Sequence, residues 1–459
     1  MRDMTETNRP GDDSGRWQQL TRNRFSRPHP DYQTMLPQMG YQGRLHYESY
    51  KNSSPESRAE VFDVYFGKVF RTNYQGQTVR WGNVMGVEAS DQAVDWLFRL
   101  QDDLGIPISL TMNQLNIPWE MYYSEHRKVL DDFLKWLAGF YERGLRSCTI
   151  GNAHLMASGV LQRAFPDMLW KNTVNQLVTS AQMVVDFLEL GYTFIQLDRS
   201  LNRNLEELRQ VKWVVDAYRN KHPQKDIRTC LLIEEACLPY CPYKREHDDL
   251  QIRCHPAEGG YIYWQGLGRS TCGRWRAHPQ YGSLPRAGTS CVWTQRETFA
   301  EYAQLVDVFK VSGRLGCTHP PDEVLDRGSV VALVRGVNPE FLQASKATLT
   351  DRDHMRHAGA GLASTAIFVH SFAEILEQNL APINAWMDLL CDLQRFTPPH
   401  NVDRFHELVQ GHFYTTDAYR ELEQRLKTCR NQCWNCHLCE RVYGVPNLDS
   451  LVSLSGGLW

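Results

Sequence analysis

Residues 193–241 read TFIQLDRSLNRNLEELRQVKWVVDAYRNKHPQKDIRTCLLIEEACLPYC, and this stretch decides the fold. Two short apolar runs, Thr193–Asp198 and Arg228–Glu234, flank a longer segment of helical texture. A strand, a crossover helix and a second strand form the repeating unit of a parallel α/β sheet. Both runs end on an acidic residue, Asp198 and Glu234, and Cys237 and Cys241 follow directly after the second.

The same rhythm extends in both directions. Further strands are expected at Val61–Gly67, Pro107–Asn113, Arg146–Asn152, Met168–Val174 and Val306–Ser312. Apolar stripes at helical spacing separate them, such as Leu130, Phe133, Leu134 and Leu137, or Val178, Ala181, Val185 and Leu188. The pattern predicts an α/β protein built as a TIM-like (β/α) barrel, incomplete or distorted. Several strands end in a polar residue: Asn113, Asn152, Asp198, Glu234. The C-terminal ends of parallel barrel strands share one face, where such folds build their sites. Asn and Asp at these places serve equally well as helix or turn caps.

On either side the texture changes. Residues 1–58 lack periodicity and read as a mobile or loosely packed extension. The barrel is expected over 59–320, interrupted at 235–296 by an insertion rich in Gly, Pro, Arg and Trp that carries five cysteines. A loop of that length in a compact domain is usually functional. Residues 321–459 read as a mostly helical region, with Phe368, Leu376 and Leu380 on apolar faces. The segment Tyr419–Lys427 reads as a helix leading into a four-cysteine motif.

Bulk properties narrow the function. The 459 residues are 42% hydrophobic and 22% charged, with a formal net charge of −3. That is an ordinary globular mixture, and its charge recruits neither nucleic acid nor an anionic membrane. No run approaches the ~18 consecutive apolar residues of a membrane span, and the first thirty residues have no apolar core of a secretory signal. A cytoplasmic protein with no membrane association is therefore expected. In a reducing compartment 13 cysteines point to metal binding or redox chemistry rather than disulfides.

The cysteines form two groups. In the insertion, Cys237 and Cys241 form a close pair at a strand end, with Cys254, Cys272 and Cys291 more distant. A close pair with two distant partners suits a cuboidal cluster, whose four irons each take one thiolate. Zinc accepts four thiolates too, and buried cysteines also serve as small hydrophobes. The second group, Cys429, Cys433, Cys436 and Cys439, lies within eleven residues, too dense for packing. It suits a second iron–sulfur cluster, with structural zinc as the alternative. Its first three cysteines match the spacing of the radical S-adenosylmethionine motif, but that motif lies early in its barrel and this run lies near the chain's end.

Four stretches together resemble the collagenase-like peptidase family, peptidase family U thirty-two: TIGNAHLMASGVLQRAFPDMLW, FIQLDRSLNRNLEELRQV, IEEACLPYCPYKREH and VDVFKVSGRLG. The last is similar to the family's Lys-x-x-Gly-Arg element, through Lys310, Gly313 and Arg314, with Ser312 where the family usually carries Glu. The resemblance implies a 4Fe–4S protein serving oxygen-independent hydroxylation, as in ubiquinone synthesis and RNA modification. It also implies Cys237, Cys241, Cys254 and Cys291 as the ligands, leaving Cys272 outside.

An iron–sulfur oxidoreductase is thus the leading expectation, acting on a small or carrier- or RNA-tethered substrate. It would work with an electron donor or acceptor protein, as a paired subunit or homo-oligomer. Arg199, Lys310 and Arg314 fall at or just past strand ends as candidate catalytic cations, with Asp198 and Asn172 orienting them. His247 is a candidate proton donor or loop residue. The peptidase reading lacks His-Glu-x-x-His and Gly-x-Ser-x-Gly. An RNA-binding or assembly protein with structural metal sites is the alternative from a different class. Tyr261, Tyr263, Trp264, Arg269, Arg274, Trp275 and Arg276 could stack on bases, or pack on one another within the loop.

Overall fold

The computed structural model describes residues 24–28, most of 47–83, 89–233, 296–311 and most of 421–438. Among the described residues the ten strands are β1 (Phe25–Pro28), β2 (Val61–Gly67), β3 (Val69–Tyr74), β4 (Gln77–Gly82), β5 (Ile108–Met112), β6 (Ser147–Ile150), β7 (Leu169–Lys171), β8 (Phe194–Leu197), β9 (Arg228–Ile233) and β10 (Val308–Val311). Eight of them close a barrel in the order β1-β10-β9-β8-β7-β6-β5-β2, and every barrel pairing is parallel. The helices run α1 (Pro55–Ala59), α2 (Asp91–Leu104), α3 (Glu120–Tyr123), α4 (Lys128–Glu142), α5 (Ala153–Ala157), α6 (Val160–Ala164), α7 (Ala181–Glu189), α8 (Leu205–Lys221), α9 (Arg296–Leu305) and α10 (Cys433–Cys436). The protein is a TIM-like α/β barrel, as the strand–helix rhythm predicts.

Seven barrel strands coincide with the seven apolar runs. The eighth, β1, lies within residues 1–58, the stretch read as an extension. It pairs with β2 on one side and β10 on the other, so the barrel is closed rather than incomplete. Four residues offer no alternation to read, and long-range bonds hold them in place. Arg24 donates to the carbonyls of Val306 (2.7 Å) and Asp307 (3.0 Å), and Phe309 N donates to Arg24 O. The antiparallel hairpin β3–β4 is a second element the periodicity did not announce. It packs Phe70 and Trp81 on Phe133 of α4, and Phe70 also on Trp136.

Alternation along each strand sorts side chains into two layers. Val64, Phe66, Leu110, Met112, Cys148, Ile150, Trp170, Ile195, Leu197, Leu231 and Phe309 join one apolar cluster with Leu97, Phe133, Leu137, Leu188, Leu208 and Val211 of the helices. The intervening residues face the barrel interior. Phe194, Cys230 and Val308 form a small apolar cluster of their own, backed by Phe62 and Leu169. Polar side chains share these strands, Ser109 and Ser147 near the starts of β5 and β6, and Ser26, Asp63, Thr111, Thr149, Lys171, Gln196 and Lys310 further along theirs. Barrel interiors are usually filled by Val, Ile and Leu, so this composition needs a reason.

Candidate active site

Three strands bring one lysine into a fixed place. Lys310 of β10 donates to Oε1 of Gln196 on β8 at 2.9 Å, and its ammonium lies 4.5 Å from the centre of the Tyr65 ring on β2. Gln196 is gripped in turn by Asn172, the residue that follows β7. Asn172 Oδ1 accepts from Gln196 N, Asn172 O accepts from Gln196 Nε2, and Asn172 Nδ2 donates to Gln196 O at 3.0 Å. Asn172 therefore acts on Lys310 through Gln196.

A second charge group crosses the interior. Lys171 Nζ donates to Asp63 in a pair whose side chains are 3% and 1% exposed. Ser26 Oγ donates to the other Asp63 oxygen at 2.5 Å, which ties β1 to β2. The rings of Phe194 and Phe62 lie 4.5 and 5.4 Å from the Lys171 ammonium. Burial raises the Cys230 thiol to about 12, against the downward pull of Lys310 and Lys171, so this thiol is neutral at ordinary pH. Thr111 Oγ1 is buried and, among the described residues, finds no hydrogen-bond partner.

Two polar strand ends are caps. Asn152 Oδ1 accepts from Leu155 N at 2.8 Å to open α5, and Asp198 accepts from Ser200 N at 2.9 Å. Asp198 begins a short 3-10 turn, Arg199–Arg203, in which every residue is buried. Asn202 Nδ2 donates from this turn to Leu232 O of β9 at 2.8 Å. Arg199 and Asp198, each 3% exposed, are thus not a surface ion pair. Arg203 is 1% exposed, and among the described residues its Nε and Nη2 find no hydrogen-bond partner.

The start of the four-cysteine motif is docked on this turn. Cys429 N donates to Arg203 O (3.2 Å), Leu205 N donates to Lys427 O (2.9 Å), and Asn204 bridges to Thr428. Leu426 enters the main core, and Lys427 pairs with Glu301 of α9 at 2.6 Å. Cys429 is half-buried and Cys436 exposed, whereas Cys148 and Cys230 are buried. Cys429 packs against the main apolar cluster, and a half-buried thiol of this kind suits packing as well as metal ligation.

The remaining expected site residues, Arg314, His247, Glu234, Cys237, Cys241, Cys254, Cys272, Cys291 and Cys439, lie outside the described residues. So do the aromatic and basic residues of 261–276 and the helical faces expected between 321 and 420. The residues that sequence reading missed are Tyr65, Asp63, Lys171, Gln196, Thr111 and Arg203. For those on strands the signal was a polar side chain within an otherwise apolar parallel strand, as in Phe62-Asp63-Val64 and Trp170-Lys171; Arg203, in the turn after β8, had no such signal.

The fold and this face define a closed parallel α/β barrel with a polar, cation-bearing interior towards its C-terminal end. No family model matches the chain, and no curated protein matches it. Among solved structures it is similar to a U32 peptidase, at 14% identity and a TM-score of 0.37, over 63% of this chain and 91% of that one.

Proposed function

We propose that the protein is an iron–sulfur enzyme with its active site at the C-terminal face of the barrel. The observation that carries this reading is the course of β9. It ends at Ile233 on that face, beside Lys310 of β10, and Cys237 follows four residues later. Four residues span at most about 14 Å, and the reading takes Cys237 to lie within that reach of the mouth that Lys310 serves.

In this reading Cys237, Cys241, Cys254 and Cys291 hold a 4Fe–4S cluster, and Cys429, Cys433, Cys436 and Cys439 hold a second centre. A bound cluster supplies one-electron chemistry. The chain supplies the rest. Lys310, fixed by Gln196 and Asn172, presents an ammonium for an anionic substrate, with Arg199 and Arg314 completing the cationic set. The buried turn after Asp198 excludes water from one side. The reaction class is an oxygen-independent redox modification, hydroxylation of a small or tethered substrate, with a separate protein exchanging electrons.

The test is ligand replacement. Cys254→Ala should lose about four irons per chain, as one cluster requires, while Cys272→Ala keeps them. Iron lost on changing Cys272 and kept on changing Cys254 would refute the ligand set. Peptide hydrolysis undiminished after loss of iron would refute the reaction class.

A further inference from the structure

Connecting turns ordinarily run over the protein surface, yet all five residues of Arg199–Arg203 are buried. Two of its side chains carry buried polar atoms with no hydrogen-bond partner among the described residues: Oγ of Ser200, and Nε and Nη2 of Arg203. The two residues are 2% and 1% exposed. The turn is of the 3-10 type, with Leu201 N donating to Asp198 O and Asn204 N to Leu201 O. In that geometry side chains three residues apart eclipse one another. Ser200 and Arg203 stand three apart, so both side chains rise from one face of the turn.

The carboxylates around the turn are engaged elsewhere. Asp198 accepts from Ser200 N at 2.9 Å, Glu207 accepts from Ala181 N at 2.7 Å, and Glu301 pairs with Lys427 at 2.6 Å. A guanidinium stays charged under any ordinary condition, and a buried cation is tolerated when an anion compensates the lost water. The N–H groups on Nε and Nη2 are coplanar and point the same way, an edge that takes two oxygens of a carboxylate or a phosphate. Charge decides between these. One guanidinium balances one carboxylate. A phosphate would bring further charge and further oxygens among Leu201 and Leu205, which are 1% and 2% exposed, and uncompensated buried charge is costly.

We propose that the face shared by Ser200 and Arg203 binds the carboxylate of a small molecule. Nε and Nη2 of Arg203 grip its two oxygens, and the Ser200 hydroxyl donates to one of them. This role is distinct from that of Lys310 and depends on no cluster at the barrel mouth. Asn202 Nδ2 on Leu232 O, and Tyr302 Oη–H on Asn202 O, tie the turn to β9 and α9, so the bound carboxylate also stiffens the connection that follows β8.

The test titrates the full-length chain with sodium acetate, and with sodium chloride at matched ionic strength, and reads the thermal midpoint. A ligand that binds only the folded state raises the midpoint with the logarithm of its concentration. Salts also act generally on folded chains, so the response counted is the part that changing Arg203 or Ser200 removes. Arg203→Met should abolish it. Arg203→Lys should lose most of it, because an ammonium lacks the paired edge. Ser200→Ala, the milder change should Arg203→Met fail to fold, should raise the acetate needed about tenfold or more, as loss of one hydrogen bond to a charged group requires. An acetate response no larger than that to chloride overturns the proposal, and so does one that Ser200→Ala leaves unchanged. Phosphate exceeding acetate by the same measure overturns the carboxylate assignment. Hydrogen exchange needs no variant: acetate should slow exchange at residues 199–205 and leave β5 and β6 unchanged. Unaltered exchange at the turn contradicts the site.

Discussion

The Nζ of Lys310 lies 2.9 Å from Oε1 of Gln196, and Gln196 is held by three hydrogen bonds to Asn172. One ammonium is thus aimed by residues of three barrel strands or their ends. Gln196→Leu keeps the bulk and removes both the acceptor for Lys310 and the donor to Asn172 O. It should cost about 1–3 kcal/mol in urea unfolding, the range for a buried polar group left unpaired. Lys310→Met should abolish turnover and leave iron content at the wild-type level. Full turnover in that variant removes Lys310 from the site.

The buried Asp63–Lys171 pair gives a second test. Asp63→Leu leaves the Lys171 charge without its partner, at a cost of about 3–5 kcal/mol. Replacing both, with Asp63→Leu and Lys171→Met, should recover most of that loss, because a well-packed apolar pair often matches a buried ion pair. A double variant as unstable as the single one contradicts the pairing.

Thiol reactivity separates structural cysteines from ligands. Burial raises both Cys148 and Cys230, the latter to about 12. At pH 8 the Cys230 thiol is therefore protonated, and the thiolate is the reactive form. Native chain should spare both from an alkylating reagent and expose them on unfolding. Cys429 and Cys436 should be protected by metal and modified after its removal. Rapid labelling of Cys230 in native chain contradicts the sealed interior.

The alkaline limb of stability follows from the same burial. The Tyr192 hydroxyl donates to Ile150 O at 2.9 Å and is pushed above its ordinary range by desolvation. The folded state therefore favours the neutral phenol. Its contribution is whole below the unfolded pKa of about 10 and is lost as pH rises through the higher folded value. Tyr192→Phe should be less stable than wild type by about 1 kcal/mol at pH 7, through the lost hydrogen bond. That difference should narrow at pH 10.5. A constant difference across this range contradicts the linkage.

The barrel was legible because its parallel strands are short apolar runs bounded by polar ends, and the helices between them carry stripes. β1 was not legible. Residues 25–28 are too few to show a period, and Arg24, β2 and β10 fix them from far along the chain. Within the site, Lys310 and Asn172 drew attention by lying at strand ends. Gln196, Asp63 and Lys171 did not, because the sequence leaves open which face of a strand an isolated polar residue takes. Asp198 and Asn152 carried both a catalytic and a capping reading, and their hydrogen bonds supply the capping one.

The central claim is that cysteines at the barrel mouth hold an iron–sulfur cluster. The direct measurement is iron, acid-labile sulfide and zinc per chain after anaerobic purification, in wild type and in Cys237→Ala. The account predicts about eight irons with matching sulfide, four per cluster, falling by about four in Cys237→Ala. About four irons with one zinc, the irons lost in Cys237→Ala, would keep the mouth cluster and make the C-terminal centre zinc. A wild-type chain without iron, or one whose iron survives Cys237→Ala, contradicts the account.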